Sequence, residues 1–470
     1  MSASAPASRR TARPTTRPTT PPPSKARPTR IRLDAAAALR PVSRLLDRPL
    51  ADYHLVLGAT ALLLVLGLVM VLSASSVIAY ADSGSSFSIV EKQVMWVAVG
   101  VPLMVVASRF PPSLWRRMAY PAMAVAIGLL CLLLVPGVGR SVNGNTNWID
   151  FGGPFRIQPS EAAKFALVLW GADLLARKQR LLDQWRHLLI PLLPVAFGVI
   201  ALVLVGGDLG TALVLMAIVA VLLLVAGAPM RLFGLLGVGA LGLIAVMSVT
   251  APHRMRRFQY WLNPESDPLG AGWQALHGKY ALASGGWWGL GLGASREKWG
   301  NLPEAHTDFI FAVVGEELGL LGTITVLLLF AALVTGGLRI AMRARDPFTR
   351  YAAAGATGWI AFQAMVNIGA VLGILPITGV PLPLLSYGGS ALLPLLAAIG
   401  MLLSFARAEP AAAAVLARRS ASRAYRSPTS SRATRSSSGS RSTPSTSASR
   451  SPTAPRRPDP SARGARAKRP

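Results

Sequence analysis

The sequence predicts an all-α, polytopic membrane protein. About ten transmembrane helices are expected, with a large extracytoplasmic loop between the seventh and eighth and disordered basic tails at both ends. Three observations carry this. The 470 residues are 52% hydrophobic with a mean hydropathy of +0.45, and the apolar residues fall in long runs. Runs near 20 residues match the thickness of a bilayer core. Arg and Lys recur in alternate connections between the runs, and both ends are low in complexity.

Residues 1–50 are rich in Pro, Thr, Ser, Ala and Arg. Such a composition cannot bury a core and is expected to be disordered. Arg9 and Arg10 are followed by more of the same, so no signal peptide is expected. The membrane domain is placed at 51–406, with apolar segments near 54–74, 92–108, 118–138, 160–177, 188–205, 209–226, 231–250, 309–336, 351–372 and 386–406. Residues 407–470 form a second basic Ser/Arg/Pro-rich tail. The net charge is +28, of which the two tails supply +22. The membrane domain is therefore only modestly basic, and no nucleic-acid partner is expected.

One set of connections holds Arg109, Arg116 and Arg117, then Arg177, Lys178, Arg180 and Arg186, then Arg231, then Arg339, Arg343, Arg345 and Arg350. The positive-inside rule makes this side cytoplasmic. An even number of helices puts both tails there too. Cys131, the one cysteine, lies in an apolar run and is expected as a small core or lipid-facing residue.

Residues of unusual chemistry collect in the outer connections, 75–91, 139–159, 206–208, 251–308 and 373–385. The loop 251–308 carries Arg254, Arg256, Arg257, Lys279, Arg296 and Lys298. A loop this long is translocated despite its charge. Six cations there suit an anionic ligand such as a diphosphate or lipid headgroup, or else balance the loop's own acids.

The polar run Pro303–Asp308 ends at an apolar helix start, with His306, Thr307 and Asp308 at its mouth. Asp308 or Thr307 suits a helix N-cap. A half-shielded carboxylate at that place also suits a general base. Glu316 and Glu317 follow at membrane depth, where an ionisable group ordinarily has a partner or a function. Glu316 shares a broad helical face with Asp308.

In NWIDFGGPFRIQPSEAAKFA, 147–166, Pro159 and Ser160 mark a helix start with Ser160 as cap. Glu161 and Lys164 share a face, as a local ion pair or as a charged cavity wall. Trp148 is an interface anchor or a platform for a sugar. Asp208, in GGDLGTA, is a cap or a cavity residue beside glycines that allow a tight turn. GGWWGLGLG, 285–293, has no strand–helix context for nucleotide binding and reads as a re-entrant outer loop. The stretch 367–389, with Ser386, interrupts an apolar run with three prolines and several glycines. Broken backbone at that depth is buried in protein or lines a cavity. No Cys/His metal spacing, P-loop or Gly-x-Ser-x-Gly elbow is present. The residues alone leave two classes open, an enzyme acting on lipid-linked substrates and a transporter.

Four stretches resemble the SEDS family (shape, elongation, division and sporulation) of ten-helix bacterial glycosyltransferases. They are IQPSEAAK at 157–164, DLGTA at 208–212, GWQALHGKY through VVGEELG at 272–319, and NIGAVLGILPITGVPLPLLSYGGS at 367–390, in family order. PEAHTDFIFA is closer to the division branch than to the elongation branch. The resemblance implies polymerisation of lipid II, an undecaprenyl-diphosphate-linked disaccharide-pentapeptide, into β-1,4 glycan strands at the outer face of the cytoplasmic membrane, at the division septum. It implies Asp308 as the catalytic carboxylate that deprotonates the acceptor 4-hydroxyl, and Glu161, Lys164 and Asp208 as cavity residues. Arg254, Arg256, Arg257 and Lys298, or a divalent cation (Mg or Mn), would neutralise the leaving diphosphate. The implied partners are a class B penicillin-binding transpeptidase and other division proteins. Two positions depart from the family pattern: Gly206-Gly207 precedes Asp208 where Gln-Pro is frequent, and Asn147 precedes Trp148 where Arg is frequent. The alternatives are a lipid II flippase, or a scaffold that only recruits the transpeptidase. The basic tails would bind anionic lipid or an acidic partner, or be phosphorylated.

Overall fold

The computed structural model describes residues 47–426, apart from 143–144, 151, 153–155, 183, 251–260 and 267–271. Most of both expected tails therefore lies outside the described residues, as do Arg254, Arg256 and Arg257. The longer helices are α1 Ala51–Ser83, α2 Ser88–Ala107, α3 Pro112–Leu132, α4 Pro159–Arg177, α5 Leu192–Val205, α6 Leu209–Val225, α7 Met230–Thr250, α8 Trp273–Ser284, α9 Ile310–Arg343, α10 Pro347–Val371, α11 Leu392–Ala408 and α12 Pro410–Arg426, and a short helix, Trp185–Leu189, precedes α5. Each of the ten expected apolar segments falls on one of these; α8 and α12 are additional. Among the described residues, five helical stretches are long and apolar enough to cross a membrane by length and composition.

Local chemistry sets the ends. Gly84 closes α1 in a left-handed conformation, with its N–H on the Tyr80 carbonyl. Asp346 caps α10 by accepting from the Thr349 N–H at 3.0 Å, and Pro347 opens the helix. Asp208 caps α6. Gly207, at φ 90°, supplies the tight turn before it.

The interior is built on α4 and α10, both buried along most of their length. Small residues on α10 allow the close approach: a Cβ on Gly355 would stand 3.2 Å from Leu222 and 3.3 Å from Val168. Around them α9 packs along α1 and α10, α3 along α4, and α11 along α2. The outward faces carry exposed Leu62, Val65, Phe197, Leu235 and Leu241, as a lipid solvent requires.

Two expectations change. The all-α expectation does not extend to the connection 139–159: Gly139–Val142, Asn145–Asp150 and Arg156–Ile157 form an antiparallel sheet in the order β1-β2-β3, with Arg140 opposite Trp148 and Asp150 opposite Arg156. Its Trp and Ile suit a half-buried sheet, and Gly152, at φ 90°, lies in the connection from β2 to β3. The expected disorder of 407–470 does not hold for 410–426, where α12 begins with Pro410, directly behind Glu409. The chain divides into 1–417 and 418–470; of the latter only helical backbone to Arg426 is described.

Candidate active site

The site begins in a strained turn. Glu304 sits at φ 56°, left-handed for a residue with a side chain, at a cost of roughly 1–3 kcal/mol that the surroundings must offset. Its carbonyl accepts from the N–H groups of Thr307 and Phe309, each at 3.2 Å. Its carboxylate accepts from the Thr307 hydroxyl at 2.5 Å. The turn presents His306, Thr307 and Asp308, all half-buried. Helix α9 starts only at Ile310, and its N-cap, Phe309, provides no side-chain bond. The expected capping by Asp308 or Thr307 does not occur: Thr307 is turned back to Glu304, and Asp308 precedes the helix. The helical phase relation expected between Asp308 and Glu316 lapses for the same reason.

The interrupted stretch after α10 lies against this turn. The Asn367 amide of α10 donates to the Asp308 carbonyl and to the Val380 carbonyl, at 2.8 Å each. The Ser386 hydroxyl donates to the Thr307 carbonyl at 2.6 Å and accepts from the Leu382 N–H at 2.8 Å. The Tyr387 N–H donates to the His306 carbonyl at 2.9 Å. Gly379 has φ 74°, and a Cβ on it would stand 3.8 Å from the Asp308 carboxylate. Burial holds the His306 imidazole below its usual range, against a weaker opposite pull from Glu304. Burial raises the Tyr387 phenol, and Arg156 partly offsets it. The Nδ1 of His306 is buried with no hydrogen-bond partner.

Behind that stretch runs a buried polar chain. Lys164 pairs with Glu161 at 2.7 Å and donates to the Gln363 side-chain oxygen at 3.0 Å. Gln363 in turn donates to the Pro381 carbonyl at 3.0 Å. The Lys164 ammonium stands 5.3 Å from the Trp359 ring centre. Asp208 accepts from the Thr211 N–H and hydroxyl and from the Gln158 amide at 3.2 Å. Asp208 is thus the cap of α6, and its carboxylate also holds Gln158 at the start of α4. A small opening beside this polar chain is lined by Glu161, Gln363 and Ser386 together with Trp359 and apolar residues such as Leu384 and Leu392, and not by Asp208. Asp308 does not line it, but the Thr307 carbonyl beside it is bonded to Ser386. The expected capping by Ser160 fails: α4 starts at Pro159, Gln158 occupies the N-cap, and the Ser160 hydroxyl is buried without a partner.

Glu316 and Lys298 belong to a second cluster. Helix α9 opens at Gly319 (φ 66°, ψ −162°), and the segment 286–291 pairs with the opening: Leu290 N–H meets the Glu316 carbonyl, and Leu320 N–H the Gly286 carbonyl. Glu316 accepts from the Ser295 hydroxyl at 2.5 Å and the Arg296 N–H at 2.8 Å. Glu317 accepts from the Ser73 hydroxyl of α1 at 2.6 Å and faces the Lys298 ammonium at 3.4 Å. Lys298 also donates to the Gly293 carbonyl at 2.6 Å and is 4% exposed. These charges hold the outer loop onto α9 and α1, and the Lys298 ammonium is taken up by that task. Trp148 is half-buried on β2, which is tied to the α6 turn by the Thr146 N–H on the Gly206 carbonyl.

Asn367, Gln363, Ser73 and Tyr387 were not singled out by the sequence. For the first two a signal existed: they are polar, four residues apart, on one face of an otherwise apolar helix. Ser73 and Tyr387 act through contacts distant in sequence and left no local mark.

The family model for cell cycle proteins of the FtsW/RodA/SpoVE type matches residues 53–410. The chain belongs to this family. Like the rest of the FtsW/RodA/SpoVE family it is a multi-pass helical protein. It is 44% identical over 371 residues to a probable peptidoglycan glycosyltransferase FtsW of Mycobacterium tuberculosis, covering 79% of this chain and 71% of that one. It is 41% identical over 348 residues to the stage V sporulation protein E of Bacillus subtilis, covering 74% and 95%. Among solved structures it resembles a chain of a peptidoglycan synthase complex that coordinates polymerization and crosslinking (TM-score 0.61, 30% identity, 76% of this chain and 97% of that one). It also resembles the rod shape determining protein RodA of Thermus thermophilus (TM-score 0.57, 28% identity, 76% and 96%).

Proposed function

We propose that this chain is a peptidoglycan glycosyltransferase that polymerises lipid II into β-1,4 glycan strands at the outer face of the cytoplasmic membrane during septal wall synthesis. The observation that carries the residue assignment is the Glu304–Phe309 turn, which offers a half-buried carboxylate on a frame bonded to Ser386, in the wall of a small cavity that also holds Glu161 and Gln363. In this reading Asp308 removes the proton from the acceptor sugar's 4-hydroxyl as that oxygen attacks the anomeric carbon of the donor. The new glycosidic bond forms, the bond to the lipid diphosphate breaks with its electron pair, and configuration inverts. A positioned base contributes about 10²–10⁴-fold.

Glu161, Lys164, Asp208, Trp148, His306 and Ser386 form the substrate side of the site. Neutralisation of the leaving diphosphate falls to Arg254, Arg256 and Arg257 of the outer loop. Among the described residues no three His, Cys, Asp or Glu side chains converge as a metal cage. Mg2+ is ordinarily held by one or two carboxylates together with substrate phosphates, so a divalent ion would be shared between protein and substrate. The partner is a class B penicillin-binding transpeptidase, in keeping with the neighbour that belongs to a synthase complex. Both termini are placed in the cytoplasm by the arginine-rich connections.

Purified lipid II, incubated with the solubilised protein with and without its transpeptidase, gives glycan strands on gels. Asp308→Asn, folded but inactive, supports the base. Undiminished polymer from that variant removes Asp308 from the chemistry. No polymer from either protein, with the partner present, favours lipid II flipping, measured in liposomes.

A further inference from the structure

Helix α8 lies along the segment that leads into Asp308. Its first turns carry Trp273, Gln274, His277 and Gly278, and each meets that segment. The Trp273 indole donates to the Asn301 carbonyl, and the Gln274 amide to the Pro303 carbonyl at 3.1 Å. His277 Nδ1 lies 2.5 Å from a carboxylate oxygen of Glu297. The Glu297 carbonyl accepts from the Leu302 N–H at 2.9 Å. A Cβ on Gly278 would stand 2.7 Å from the Phe309 ring, the residue after Asp308. Trp273 stacks on His277, with ring centres 4.0 Å apart and 30° between planes, and Tyr280 meets the same imidazole edge-on at 5.6 Å. His277 and Glu297 are 16% and 15% exposed at their side chains, so the contact is sheltered on both sides.

These contacts supply what the turn lacks by itself. The left-handed Glu304 has a local reason to relax, because its internal bonds come only from Thr307 and Phe309 within the same turn. Residues in such conformations persist where external contacts over-determine them. On the N-terminal side those contacts come from α8, and the charge-assisted one is His277 to Glu297.

We propose that the His277–Glu297 pair is a positioning device for Asp308: it fixes α8 to residues 297–303 and thereby holds the carboxylate at the reacting hydroxyl. His277 touches neither substrate nor the reacting atoms. The proposal rests on the reading of Asp308 as the base. A base displaced by an ångström loses about 10²-fold in rate while substrate binding elsewhere is unchanged.

The test compares three variants in the full-length protein. His277→Phe keeps the stack on Trp273 and loses the bond. His277→Asn loses the stack but places an amide N–H near the former Nδ1. His277→Phe/Glu297→Leu removes both polar partners, so no buried carboxylate is left without a donor. Polymerisation of lipid II is followed against substrate concentration, and backbone amide exchange of residues 301–309 by mass spectrometry. The expected result is a kcat lower by about 10²-fold for His277→Phe and for the double variant, with KM within about two-fold. Amide exchange at Thr307 and Phe309 should be faster in both, and His277→Asn should recover rate and protection together. Wild-type kcat in the double variant, wild-type exchange at 301–309, or no recovery in His277→Asn overturns the proposal. Amide exchange needs no catalysis, so it reports on the device even if Asp308→Asn proves active and the base assignment falls.

Discussion

The side-chain amide of Asn367 on α10 is bonded at 2.8 Å to the main-chain carbonyl of Asp308 and at the same distance to that of Val380. One buried amide thus ties the turn carrying the catalytic candidate to the broken stretch after α10. Asn367 is 2% exposed, so water cannot replace it. Asn367→Leu should destabilise the protein by about 1–3 kcal/mol per carbonyl left unpaired. It should also slow polymerisation more than it lowers lipid II binding. Thermal unfolding and initial rates measure the two, and a variant as stable and active as wild type would contradict the bonding described.

The Glu161–Lys164 pair makes a second case. Both are buried, with Lys164 at 0% and Glu161 at 4% exposure. Lys164→Met alone leaves a buried carboxylate without its cation, which costs about 3–5 kcal/mol. Glu161→Gln/Lys164→Met removes the orphan charge, so most of that stability should return while polymerisation stays low. Recovery of activity along with stability would make the pair purely structural.

Gly319 makes the opening in α9 on which the second cluster is built. Its φ of 66° and ψ of −162° lie where only glycine is at ease, and a Cβ there would stand 2.4 Å from the Gly289 nitrogen. Gly319→Ala should loosen segment 285–298 from α9 and expose its amides to exchange. Unchanged protection of Leu290 and Gly291 would show that the opening does not depend on glycine.

Acidification should act through His306. Its folded pKa lies below the ordinary value of 6.5. The unfolded chain therefore takes up the proton first, and between the two values it binds more protons than the folded one. Stability rises with pH across that window. The contribution is complete above the unfolded value and is lost as pH falls through the folded one. The melting temperature of the wild type should fall from about pH 7 to about pH 5 more steeply than that of His306→Gln. Parallel slopes would assign the acid sensitivity to other groups.

Much of the scaffold was legible because membrane helices obey a local rule. An apolar run of sufficient length is helical in lipid, since each backbone donor must find its acceptor within the segment. The caps were less legible. Ser160, Asp308 and Thr307 all have cap chemistry, yet Gln158 and Phe309 occupy the cap positions. The helix starts decide the caps: Pro159 opens α4 so that Ser160 already lies inside it, and α9 begins only at Ile310 while the Thr307 hydroxyl is taken by Glu304. The strands at 139–157 were missed because a short sheet in an outer loop takes its stability from the helices beneath it, not from its own pattern.

What the sequence by itself determined was the helical membrane class, the recurrence of basic residues in alternate connections, the Glu161–Lys164 pair and the collection of unusual residues in the remaining connections. Each is written in neighbouring residues, as apolar length, as basic connections or as a spacing of three. Only the tertiary structure decided that Glu316, Glu317 and Lys298 hold a loop in place while Ser386 and Asn367 bond the main chain at the turn of Asp308. A buried carboxylate takes its role from the donors that surround it, and here those come from Ser73, Ser295 and Arg296, two of them at least twenty residues distant and the third more than two hundred.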